Sequence, residues 1–432
     1  MQMNVVMSVA SLGKKPGEGG LQKQGASGEL RTRYGYTLAL SAGLCMFSLI
    51  LWELRPASLG QLSSRLGPVL GFVVGMSMVV NVAGEAGVLD ALIRRLERVI
   101  PRRGARLAWW GIIVGLCLVS TVFFSLDTTA LLLTPIALRI AQRNRLHLPA
   151  VAFAVVWIAN LGSLFLPMSN LTNLLALARI PHPTSLGFAS DMWAAAAGAT
   201  LVALAGVCAV GWTRSGRGVS ILGGDATATA RQPLRSPHAD SESRGVRASV
   251  VIGAVMALLM LALLLPIPFW QSSSVAGAVV AVVWLLAGGR WPRGAVPWNS
   301  LLLAALLSVV AQICVELGAL APVERVLVHA GQTGGAVGAA MTAVTGALVS
   351  NVGNNLPAYV ALENFVQRPD QVYALLIGVN AGPIVTPWAS LASLLWFEQL
   401  RRHGVRVTWG AFAWRGLLLV PLALVVPVVA LQ

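Results

Sequence analysis

Residues 159–175 read ANLGSLFLPMSNLTNLL, and residues 379–395 read VNAGPIVTPWASLASLL. A constant offset of 220 sets Asn160 on Asn380, Gly162 on Gly382 and Pro167 on Pro387. The same offset pairs Leu171, Leu174 and Leu175 with Leu391, Leu394 and Leu395. Each stretch is apolar overall, yet each carries glycine, proline and a cluster of small amides and hydroxyls. Glycine is conformationally permissive and proline removes a backbone donor, so neither stretch supports an unbroken helix. Interrupted apolar segments at matching places in two halves of a chain are the sequence mark of a solute site inside a membrane.

The rest of the chain agrees with a membrane setting. It has 432 residues, of which 56% are hydrophobic and only 11% charged, with a mean hydropathy of +0.75. Soluble domains carry about a quarter charged residues. Apolar runs at 248–268, 301–317 and 411–430 approach or reach the roughly 20 residues that a spanning helix needs. The expected fold is an all-α polytopic membrane protein, because a β-barrel would show short alternating segments instead.

A net charge of +15 raises the question of nucleic acid, but its distribution argues for no nucleic-acid partner. Most Lys and Arg fall in six short segments, 14–33, 94–106, 139–145, 214–247, 290–293 and 401–406, each beside an apolar run. Positive loops of this kind mark the cytoplasmic side. Cys45, Cys117, Cys208 and Cys314 stand singly in apolar stretches, which gives neither a zinc site nor a disulfide framework. No phosphate-binding GxxxxGK[ST] loop and no nucleophile–base constellation is present, so neither an enzyme nor a cofactor is expected.

Along the chain, residues 1–34 read as a loose cytoplasmic tail, 35–212 as a first transmembrane half, 213–247 as a cytoplasmic linker rich in Gly, Ser, Thr and Pro, and 248–432 as a second half. The segment 107–145 has basic residues at both ends, so it enters and leaves on one side as a re-entrant hairpin with its tip near Ser125–Thr129. The stretch SNVGNNLPAYVALENF, from Ser350, forms the matching hairpin of the second half. With the amino terminus inside and the hairpins not crossing, the basic segments all fall in the cytoplasm. The chain then makes nine crossings, and its halves are inverted, as in many secondary transporters.

Irregular backbone at membrane depth is tolerated only where it is buried in protein or lines a water-filled cavity. The two breaks and two hairpin tips are therefore the candidate site. Its expected binding residues are Asn160, Ser169, Asn170, Asn173, Asn354, Asn355, Asn380, Thr386 and Ser390. Amides and hydroxyls donate and accept hydrogen bonds, which suits a small, neutral or weakly charged polyhydroxylated solute, or an ion sharing the site with one. The competing role for such residues is packing between helices, the common use of Ser and Thr in membranes. Asp127 is the one carboxylate at a hairpin tip within the apolar region. It is the candidate ion-coupling residue, with capping of the following helix as the alternative. Glu85 and Glu316 recur in both halves but sit at span boundaries.

Three stretches, SNLTNLLAL, SNVGNNLPAY and above all NAGPIVTPWASLASLLW, resemble the arsenite/antimonite efflux permeases (ArsB-type) of the ion-transporter superfamily. The resemblance covers roughly residues 35–430. It extends to Asp127, Thr134-Pro135, Ser169-Asn170, Asn173, Asn354-Asn355 and Pro357. It departs at the first tip, where Leu126 precedes Asp127, and at Asn160 and Asn380, which are amides where the family pattern has Asp. The resemblance implies an inverted-repeat secondary transporter with two re-entrant hairpins and two broken transmembrane helices, embedded in lipid in the bacterial cytoplasmic membrane. It implies export of a small inorganic solute such as arsenite or antimonite, exchanged for H+ (or Na+), with a soluble ATPase as a possible partner. A carboxylate or other oxyanion transporter of the same fold is the alternative.

Overall fold

The computed structural model describes residues 22–99, 105–212, 219–221, 239–292 and 295–432. The expected tail lies outside the described residues up to position 21, and from Gln22 the chain is already helical. Helix α1 is Gln22–Leu54, followed by α2, Pro56–Glu85, and the amphipathic α3, Val88–Val99. Next comes the hairpin of α4, Ala105–Phe124, and a return arm made of α5, Leu126–Thr128, a π turn, Thr129–Leu133, and α6, Thr134–Arg143. Pro135 withholds the N–H that an α-helix would aim at Leu131, and the backbone widens into the π turn just before it.

The first broken span is α7, Leu148–Leu161, and α8, Leu171–Ala176, with irregular turns between them; α9, Ser185–Trp212, closes the first half. Most of the linker lies outside the described residues. Its short strand β1, Val219–Ile221, pairs antiparallel with β2, Val405–Val407. The second half runs through α10, Ala239–Ala262, α11, Phe269–Leu286, α12, Trp298–Glu316, and α13, Ala321–Thr333. Its hairpin is α14, Gly335–Gly353, with α15, Asn355–Leu362. Its broken span is α16, Pro369–Ala381, with α17, Leu391–Arg402, and α18, Trp409–Ala430, ends the fold. Helix α10 begins at Ala239, so the linker expected to reach 247 is shorter at its far end.

Among the described residues, eight helices are long and apolar enough to cross a membrane. Two of them, α4 and α14, are hairpin arms. The other six are simple span candidates, and two shorter apolar helices, Leu148–Leu164 and Arg247–Ala262, accompany them. Packing follows the repeat. Helix α1 packs on α12 as α11 packs on α2, α8 packs on α16 as α17 packs on α7, and α5 packs on α17 as α15 packs on α8. The α2–α11 crossing is close enough that a Cβ on Gly75 would lie 2.5 Å from the Ser273 carbonyl carbon, the small-residue contact by which membrane helices approach. The core centres on α7 and α16, whose residues are almost all buried.

Candidate transport site

Both hairpin tips turn on a non-glycine residue with positive φ: Ser125 (φ 92°, ψ 158°) and Asn354 (φ 85°, ψ 150°). That region is strained for any L side chain, and each tip is fixed by a side chain that caps the helix after it. Ser125 Oγ accepts from the Thr128 N–H at 3.4 Å, and Asn354 Oδ1 from the Leu356 N–H at 3.4 Å. Capping at the first tip therefore belongs to Ser125. Asp127 is left with a buried Oδ1 that has no hydrogen-bond partner.

The first break solves its own backbone problem. Pro167 has no N–H to offer the Ser163 carbonyl, and that carbonyl instead accepts from Ser169 Oγ at 2.5 Å and Asn173 Nδ2 at 2.7 Å. The Leu166 carbonyl accepts from the same two side chains at 2.5 and 3.1 Å. Asn170 is extended (φ −150°) and caps α8 through the Thr172 N–H. The second break is held by its hairpin. Asn351 Nδ2 donates to the Gly382 carbonyl at 2.9 Å, Asn354 Nδ2 to the Trp388 carbonyl at 2.9 Å, and the Asn355 N–H to the Ala389 carbonyl at 2.8 Å. Thr386 closes the stitch, its N–H donating to Asn351 Oδ1 at 2.9 Å and its hydroxyl to the Asn351 carbonyl at 2.8 Å.

Where the breaks meet, three expected residues come together. Asn380 Oδ1 accepts from Asn170 Nδ2 at 2.9 Å and from Thr172 Oγ1 at 2.7 Å, while Asn380 Nδ2 donates to Asn173 Oδ1 at 2.6 Å. All four side chains are essentially fully buried, and no charge lies among them. An amide unpaired at this depth would cost about 1–3 kcal/mol, so the cluster is stable only because it is complete. Ser169 supports it through the backbone.

The remaining expected residues lie elsewhere. Asn354, Asn355 and Thr386 join the second hairpin to its break, outside the amide cluster. Asn160 and Ser390 are fully buried, but Asn160 Oδ1 and Ser390 Oγ have no partner, and neither does Ser393 Oγ.

Sequence reasoning missed a charged cluster. Arg65 on α2 reaches Glu363 at 2.7 and 2.5 Å, and Arg179 Nε lies 3.6 Å from the same carboxylate. Arg65 also donates to the Leu175 carbonyl at 3.3 Å. The signal was an arginine immediately before the apolar run that starts at Leu66, and an acid closing the second hairpin. Tyr373 on α16 donates to Asp191 on α9, a further contact that crosses the halves.

Residues 35–392 match the family described as citrate transporter, CitMHS. The arsenical pump membrane protein of Escherichia coli (strain K12) is 27% identical over 432 residues, covering 89% of this chain and 95% of that protein. The arsenical pump membrane protein of Yersinia enterocolitica is 26% identical over 374 residues, covering 80% of this chain and 82% of its own length. Another from Escherichia coli aligns at 32% identity over 93 residues, 20% of this chain and 22% of that protein. Among solved structures, the YdaH transporter of Alcanivorax borkumensis, which has an unusual topology, gives a TM-score of 0.52 at 17% identity. That match covers 92% of this chain and 97% of the other, and it is a likeness of fold alone. The relatives are membrane transport proteins rather than enzymes, and the resemblance read from the motifs holds across most of the chain. With its apolar spans, hairpins and paired breaks, this chain is a multi-pass bacterial membrane transporter and belongs to the citrate transporter family.

Proposed function

We propose that the chain exports trivalent arsenic or antimony hydroxide, arsenite or antimonite, across the cytoplasmic membrane in exchange for protons. One observation carries this: the buried, uncharged cluster of Asn170, Thr172, Asn173 and Asn380 at the crossing of the two breaks. Arsenite at neutral pH is an uncharged trihydroxide, and its hydroxyls can trade places with amide–amide bonds at little net cost, since one hydrogen bond replaces another. The cluster contains no thiol, which favours release of the cargo over retention. The arsenical pump relatives support the same substrate class.

In this scheme the amides bind solute when the breaks separate and rebond to each other when it leaves, so the empty site does not strand buried polar groups. Asn160 and Ser390 are further buried polar groups of the two breaks, and Asp127 carries the coupling proton. The hairpins and broken spans move against the remaining helices, exposing the site to each side in turn. The chain has no nucleotide loop of its own, so such a pump runs either on the proton gradient alone or with a separate soluble ATPase.

Arsenite-sensitive cells with and without the chain test the proposal. Lower intracellular metalloid in expressing cells is expected, and equal accumulation overturns it. The family match favours a second reading, a cation-coupled carboxylate transporter. Labelled citrate entering proteoliposomes on a Na+ or proton gradient, with no effect on arsenite, would select it.

A further inference from the structure

The Arg65–Glu363–Arg179 cluster joins three elements that the transport motion would separate. Arg65 lies on α2, one of the helices outside the hairpins and breaks. Glu363 stands directly after α15, where the second hairpin ends, and Arg179 stands just beyond α8, where the first broken span ends. The basic segments place all three toward the outer face. Segment 401–406 puts the end of α17 in the cytoplasm, so the start of α16 and the hairpin end before it lie on the other side. Segment 139–145 precedes α7, so the first broken span reaches the outer face near Arg179. Segment 94–106 follows the end of α2, which puts Arg65, in the first third of that helix, toward the same face.

The two arginines hold the carboxylate unequally. Arg65 takes both oxygens, Nη1 to Oε1 at 2.7 Å and Nη2 to Oε2 at 2.5 Å, and its Nη2 also donates to the Leu175 carbonyl on α8 at 3.3 Å. One side chain thus pins the second hairpin and the first broken span to α2 together. Arg179 stands off, with Nε 3.6 Å from Oε2, and its Nη2 donates to Asn364 Oδ1, beside Glu363, at 3.5 Å. A two-pronged arginine–carboxylate bond is strong and directional, whereas an approach of 3.6 Å leaves room to tighten. The Glu363 side chain is nearly buried while both arginines are partly exposed. A parted arginine can turn to water, but a buried carboxylate without a partner is strongly disfavoured.

We propose that these three residues form a lock on the outer gate, in which Glu363 passes between a fixed arginine, Arg65, and a travelling one, Arg179. The lock rests on the transport role proposed above, in which the hairpins and broken spans are the moving part. With the second hairpin against α2, Arg65 holds the outer side shut. When the hairpin and the first break withdraw, Arg65 turns to water. Arg179 travels with Glu363, closes on it and keeps the carboxylate paired. Arg65 alone would leave a buried charge uncompensated in the open state, and Arg179 alone would leave nothing to hold the gate. The inverted twin of the cluster carries no charge. By the match of the tips Ser125 and Asn354, Glu363 corresponds to Thr134. By the match of the breaks, Arg179 corresponds to Gln399, and by the match of Glu85 with Glu316, Arg65 corresponds to Val296. Thr134 donates to the Ala130 carbonyl of its own arm at 2.6 Å. The lock therefore acts on the outer face and favours the state shut to the outside when the site is empty.

The test is hydrogen–deuterium exchange of the purified full chain in detergent without substrate. It is read on peptides covering 355–365 and 171–179, with 126–143 of the first hairpin as reference, because amide exchange reports local opening. Arg65→Gln is expected to speed exchange in both outer peptides by about tenfold or more. Arg179→Gln is expected to slow it by about threefold or more, because the open state loses its travelling counter-charge. The reference peptide should keep its wild-type rate in both. Arg65→Lys keeps the charge and gives up the second prong; it should fall between wild type and Arg65→Gln, and it carries the test if Arg65→Gln does not fold. Removing either arm of a merely structural ion cluster would loosen the same peptides. Acceleration in both Arg65→Gln and Arg179→Gln, acceleration spread equally to the reference peptide, or no change on altering Arg65 overturns the lock. Because no solute enters the measurement, a chain that shows the opposed rates yet leaves cellular arsenite unchanged would sink the substrate assignment and spare the lock.

Discussion

The two breaks share a sequence plan and differ in how they are completed. At the Asn380 crossing, amides from both halves interlock and each buried polar atom has a protein partner. At the twin positions Asn160, Ser390 and Ser393, serines replace two of the asparagines and the buried oxygens have no hydrogen-bond partner. The hairpins differ in the same sense. The second is stitched to its break by Asn351, Asn354 and Thr386, and anchored to α2 through Arg65–Glu363. The first has an exposed 3.8 Å pair, Arg139–Asp90, between its return arm and α3. An inverted repeat thus supplies two equivalent places, and small side-chain changes close one into a bonded amide cluster and leave the polar atoms of the other without protein partners.

Four substitutions would break or sharpen that contrast. The largest effect is expected from Asn380→Ala, which strands Asn170, Thr172 and Asn173 together. A loss of about 3 kcal/mol in stability, measured by denaturant unfolding in detergent, and loss of metalloid export should follow. Glu363→Gln comes next. Its carboxylate is 5% exposed, but Arg65 and Arg179 are 29% and 31% exposed, so solvent screens part of the cost. About 2 kcal/mol is expected, with faster proteolysis of the second hairpin as the readout. Asn160→Ala removes an oxygen that no protein group uses, and should cost only about 1 kcal/mol by the same unfolding measurement. If it destabilises as much as Asn380→Ala, the two crossings are equivalent after all. Asp90→Asn should be smallest, within about 0.5 kcal/mol, as expected of an exposed pair. A larger loss would show that the first hairpin is held as firmly as the second.

The breaks themselves were legible because their cause is local. Pro167 and Pro387 withhold a backbone N–H wherever the chain goes, Gly162 and Gly382 loosen the backbone before them, and the polar residues beside them stand out against an apolar background. The hairpins were legible from charge at both ends of 107–145 and from the match between halves. The division of labour among the asparagines was not. Asn173 and Asn354 look alike in sequence, yet one bonds across the halves to Asn380 and the other serves the Trp388 carbonyl. The Arg65–Glu363–Arg179 cluster was hidden because its members are scattered along the chain and ordinary by composition.

The sequence alone determined that helices would fracture at these prolines and glycines, and that the fracture would occur twice, since a missing N–H and a missing Cβ act within one turn of where they occur. Only the tertiary structure decided which fracture would be filled. Asn170 meets Asn380 across a separation of 210 residues, and whether a carboxamide or a hydroxyl reaches its counterpart depends on how the two halves pack, which no local rule fixes.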